Sequence, residues 1–112
     1  MFQRKTTEEY WQALDGIRQK TLVHGASTLM AEFRLQSGAI LPLHSHPHEQ
    51  TGYLVSGRIR LTIAGESREL EPGDSWCIPG DAAHGAEIME DSVAIEVFSP
   101  VREEYLPERR TP

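Results

Sequence analysis

Cysteine, basic charge and long apolar runs are all scarce in this chain. One cysteine among 112 residues, Cys77, leaves no internal disulfide to staple a small fold. No run approaches the roughly 20 apolar residues of a membrane-spanning helix. The opening MFQRKTTEEYW lacks the apolar stretch of a signal peptide, so a cytoplasmic location is the expectation. Lysine and arginine number 11 against 17 acidic residues, a net charge of -6. A phosphate backbone therefore gains no general attraction, and nucleic-acid binding is disfavoured. What remains, 38% hydrophobic and 25% charged, suits one soluble globular domain over residues 1–112, because two would each be too small to build a core.

Seven prolines and nine glycines punctuate the chain at short intervals, and the segments between them alternate with period two. Over residues 28–36, Leu29, Ala31, Phe33 and Leu35 share one face, with Glu32, Arg34 and Gln36 on the other. Ile59, Leu61 and Ile63 repeat the pattern, and Ala64-Gly65 followed by residues 67–70 predicts a hairpin. Pro72-Gly73 has the fixed and the positive φ of a type II turn, before a strand through Trp76, Cys77 and Ile78 and another over residues 92–98. Thr6 with Glu9 three residues on reads as a capping box, predicting one short helix that ends at Gly16. The charged, proline-containing residues 103–112 are expected to run over the surface. Many short strands in so small a chain predict an all-β fold, a closed barrel or sandwich that leaves few open edges.

The histidines carry the chemistry. In extended chain His44 and His46 project from the same face, a strand form of chelate, and His84 offers a third imidazole that only folding brings near. Glu49 or Gln50 completes such a set; spacing does not choose between them, although strand parity puts Glu49 on the opposite face. His24, before the turn-like Gly25-Ala26-Ser27, and His48, in the loop between the other histidines, are not taken as ligands. Farther on, Val93, Ile95 and Val97 share one face of a strand and Ala94, Glu96 and Phe98 the other. If that second face points inward, Glu96 is an acid or base facing the metal, and Arg102 a bidentate partner for a substrate carboxylate.

These residues resemble the two motifs of the cupins. The first motif reads Gly38, His44, His46, Gln50 where glutamate is usual, and Gly57; the second reads Gly73, Pro79 and His84, with Ile88 where asparagine is usual. The resemblance implies a double-stranded β-barrel, a jelly roll, with its core over about residues 27–100, an N-terminal extension and a C-terminal tail. The stretches HSHPHEQTGYLVSG (44–57) and EVFSPVREEYL (96–106) further resemble the small single-domain pectin-degradation cupins of the KdgF type. That likeness implies a metal held by His44, His46, Gln50 and His84, and a catalytic group of Glu96, Phe98 and Arg102, with Glu96 where the family carries aspartate. Three imidazoles and a neutral amide leave a divalent ion its full charge, and the set suits Zn, Ni, Fe or Mn.

The implied activity is a metal-dependent isomerase- or lyase-like ring opening of 4,5-unsaturated uronates from pectin or alginate, with a carboxylated sugar as substrate. The alternatives are a metal-dependent dioxygenase and a non-catalytic small-molecule-binding module. A homodimer is the expected assembly, since closed two-fold pairs are the commonest.

Overall fold

A computed structural model describes residues 1–107. Eight strands follow one another along the chain: β1 (Trp11–Leu14), β2 (Ile17–His24), β3 (Leu29–Leu35), β4 (Ile40–His44), β5 (Glu49–Ile63), β6 (Glu66–Leu70), β7 (Ser75–Ile78) and β8 (His84–Ser99). A single 3-10 turn, Glu103–Tyr105, follows them. All pairings are antiparallel, in the order β1-β2-β3-β8-β5-β6, with β4 attached to β8 and β7 to β5.

The two long strands run the length of the molecule and bend together. Register shifts fall between Leu54 and Ile59 on β5, dividing the β5–β8 ladder into two halves. One half of β8 pairs with β3 and the other with β4, so the sheet folds over into two facing layers. Gly57 sits in the bend with φ +91°, and a Cβ there would lie 2.1 Å from Ser92 Oγ and 2.4 Å from the Asp91 carbonyl oxygen. Gly57→Ala is therefore expected to cost about 2 kcal/mol and to lower the melting temperature by about 10 °C. Thermal unfolding checks this, and a shift under about 2 °C would contradict it.

The inward faces match the alternation of the sequence. Leu29, Ala31 and Phe33 of β3 and Leu54 of β5 meet Ile59, Leu61 and Ile88 from the other layer in one apolar cluster. Ala64 and Gly65 both have positive φ, the backbone of a type I′ hairpin between β5 and β6, and Gly73 has φ +98° as its turn requires.

Three expectations are corrected. The expected N-terminal helix is absent, and its residues 11–14 form β1 instead. Asp15-Gly16, with Gly16 at φ +76°, joins it to β2 in a two-residue hairpin, and the resulting ladder outweighs the local capping signal. The chain after Arg102 does not simply skirt the surface: Tyr105 is buried, its ring against Trp11, Phe33 and Phe98, while residues 108–112 lie outside the described residues. The sheet does not close into a continuous hydrogen-bonded ring, since β1 and β6 end the ladder. The two layers are closed by packing across the core. No helix among the described residues is long and apolar enough to cross a membrane.

Candidate metal centre and acid site

Between the layers lies a cavity of about 360 Å³, lined by residues of seven strands, all but β6, and of the C-terminal turn. His44 ends β4 and His84 begins β8, directly opposite each other in the ladder, while His46 comes from the connection to β5. Their ring centroids are 4.2 Å (His44–His84), 4.9 Å (His46–His84) and 5.7 Å (His44–His46) apart. One nitrogen from each can be chosen so that all three lie within 4.8 Å of one another. The three histidines are thus positioned to hold one metal ion.

Backbone carbonyls orient all three rings. His44 Nδ1 lies 2.9 Å from the Pro42 oxygen, His84 Nδ1 2.9 Å from the Ala82 oxygen, and His46 Nδ1 3.1 Å from the His48 oxygen. A carbonyl only accepts, so each Nδ1 carries the proton and each Nε2 keeps a lone pair, the tautomer a metal needs. His84 Nε2 is buried without a hydrogen-bond partner. His46 Nε2 faces Gln50 Oε1 at 3.0 Å, and the Gln50 amide N–H is donated to Glu96. Two lone pairs opposed at that distance repel unless a cation lies between them. The donor set therefore fits a bound divalent ion by its own chemistry. Gln50 is buried on the inward face of β5, whereas its neighbour Glu49 is exposed. His48 is half-buried beside His46, with ring centroids 5.6 Å apart, and His24 is exposed at the end of β2.

Burial holds His46 and His84 below the ordinary imidazole value. For His46 the positive Arg102 adds to desolvation; for His84 the hydrogen bond to Ala82 opposes it. A lowered folded value means that the native rings stay neutral where unfolded imidazole, near 6.5, already takes a proton. Their contribution to stability is complete above about pH 6.5 and is lost as pH falls below it. Bound metal is expected to stay constant down to about pH 6.5 and to be released only under more acidic conditions. Metal analysis after dialysis through a pH series checks this; release complete at pH 7.5, or none at pH 4, would contradict it.

Glu96, Phe98 and Arg102 line the same cavity, Glu96 joined to His46 through Gln50. Ala94, Glu96 and Phe98 form the inward face of β8, and Phe98 is fully buried. Glu96 is half-buried, and desolvation raises its pKa against the opposing effects of Gln50, Trp76 and Arg102. The Arg102 guanidinium stacks on Tyr105 at 4.3 Å and on Phe98 at 5.3 Å, with Nε 3.4 Å from Glu104. Two residues of this wall have no signal in the cupin motifs. Trp76 donates its indole N–H to Glu96 at 3.1 Å, and Tyr105 supplies the platform for Arg102. A tryptophan on an inward strand position was readable, but its partner depends on the pairing of three strands.

Residues 31–99 match the family model of the cupin domain. The chain is a cupin. This cupin is 34% identical over 102 residues to the pectin degradation protein KdgF of Dickeya dadantii, covering 88% of this chain and 93% of that protein. Among solved structures it resembles KdgF from a Halomonas species, with TM-score 0.89 and 32% identity over 95% of this chain and all of the other. A cupin of RmlC type from Shewanella frigidimarina superposes with TM-score 0.88 and 27% identity, over 94% and 95% of the two chains. The cupin jelly roll is thus matched along almost the whole chain.

Proposed function

We propose that this cupin holds a divalent transition metal (Zn, Ni, Fe or Mn) through His44, His46, His84 and Gln50, and converts 4,5-unsaturated uronates to their open-chain keto acids. The observation that carries the reading is one cavity lined by His44, His84 and Gln50, by the half-buried carboxyl group of Glu96 and by an arginine. The likeness to pectin degradation proteins supports the substrate class, the sugars that pectin or alginate lyases release.

The substrate is a cyclic enol ether bearing a carboxylate. Arg102, steadied by two aromatic rings, binds the carboxylate through paired N–H donors. Glu96, its pKa raised by burial, keeps a proton nearer neutrality than an exposed carboxyl and delivers it to C4 of the double bond. Water adds its oxygen to C5 and returns a proton to Glu96. The C5 hydroxyl then gives its proton to the ring oxygen as the C5–O bond breaks, leaving a ketone at C5. The hydrate at C1 loses the water that was gained, so the sum is an isomerisation. A metal in the His/Gln set would supply Lewis-acid polarisation of oxygen atoms at this end of the cavity. Phe98, with its ring centroid 6.0 Å from that of His46 and its face under Arg102, supplies an apolar wall of the site.

Metal analysis of the purified protein, followed by an assay on an unsaturated uronate with oxygen uptake recorded, tests the proposal. Product without oxygen uptake supports it. Turnover that consumes oxygen would move the dioxygenase reading ahead, and binding without turnover the binding-module reading. We also propose that the protein is cytoplasmic and pairs as a homodimer through the outer face of β3, β8 and β5, where Met30 and Tyr53 are exposed.

A further inference from the structure

Glu96 belongs to a cross-strand row of three. Gly52 on β5 is opposite Trp76 on β7 and opposite Glu96 on β8, so the three share one face of adjacent strands, and Trp76 and Glu96 line the cavity. The middle member has no side chain. A Cβ on Gly52 would stand 2.2 Å from indole Cε2 and 2.3 Å from Nε1, so the Trp76 ring occupies the space over this glycine. It thereby crosses a whole strand, and its N–H reaches Glu96 Oε1. Gln50, two residues before Gly52 on the same face, donates to the same oxygen. Glu96 Oε2 accepts no hydrogen bond from the described residues.

We propose that Trp76 is a positioning residue, which together with Gln50 pins Glu96 by Oε1 so that the transferred proton rides on Oε2, and that Gly52 is glycine to let the indole through. Two N–H donors on one carboxylate oxygen satisfy its lone pairs and leave the other oxygen as the place for a proton. They also stop the carboxyl group from rotating, which keeps that proton aimed at one point of the cavity. The catalytic part of this inference rests on the proposed role of Glu96 as the acid; the pinning itself does not.

Two measurements keep those parts separate. Trp76→Phe retains a ring of similar shape without the donor, and Gly52→Ala displaces the indole. Each is expected to lower kcat on the unsaturated uronate about tenfold, with KM and bound metal within twofold of the starting protein. A fall in metal content, or a rise in KM equal to the fall in kcat, would instead mean a structural role and overturn the proposal. The second readout needs no turnover. In proton–nitrogen correlation spectra the indole resonance that disappears in Trp76→Phe is expected to be displaced and to exchange faster with solvent in Glu96→Ala. An indole resonance indifferent to Glu96→Ala would overturn the pinning. Should the protein not turn over uronates while that resonance responds, the pinning stands and the uronate reading falls.

Discussion

Glu96→Gln is expected to keep its fold and its metal and to lose at least about 100-fold in kcat. The amide matches the carboxyl group in shape, and its oxygen can still accept from the Gln50 and Trp76 N–H groups that now bond Glu96 Oε1. What it cannot do is deliver a proton. Arg102→Ala separates the neighbouring function: it removes the charge that holds the substrate carboxylate and should raise KM roughly 30-fold, equivalent to about 2 kcal/mol, with a smaller effect on kcat. Steady-state kinetics on both variants, with metal content measured beside them, checks the assignment. Glu96→Gln within threefold of the unmodified protein would contradict it. Glu96→Asp is a further arm, because it keeps the acid but shortens the reach by one methylene and draws the carboxyl group back from Trp76.

His84→Ala is expected to weaken metal binding by more than about 100-fold and to abolish turnover with it. The side chain is 1% exposed, its Nδ1 is committed to the Ala82 carbonyl and its Nε2 is buried without a partner, so it serves no other polar contact that could explain its burial. His48→Ala is the matched control. The group that steadies His46 is the backbone carbonyl of His48, which the substitution leaves in place, so occupancy should stay near that of the unmodified protein. Elemental analysis and competition with a chelator measure both. Equal loss in the two variants would contradict the ligand assignment.

Much of the strand pattern was legible because each strand buries one face only. Leu29, Ala31 and Phe33 announced β3 by alternation, and the same rule put Glu49 outside and Gln50 inside once β5 was accepted as a strand. The motif spacing likewise marked His44, His46 and His84 before any fold was known. The N-terminal strand was missed because two local signals compete there: Thr6 and Glu9 suit a helix start, while Asp15-Gly16 suits a hairpin. Only the partner strand β2 decides between them. Tyr105 was hidden by its charged neighbours, since a single aromatic anchoring a 3-10 turn has no periodicity to read. The row Trp76, Gly52 and Glu96 is written in the register of three strands far apart in sequence, which no local pattern encodes.

The proposed activity is tested most directly by mixing the metal-loaded protein with a 4,5-unsaturated uronate, following the double bond by its ultraviolet absorption and the product by nuclear magnetic resonance. The expected result is loss of the double bond well above the spontaneous rate, with the open-chain 5-keto acid as product and no oxygen consumed. Protein carrying one metal per chain that leaves the substrate at its uncatalysed rate would contradict it.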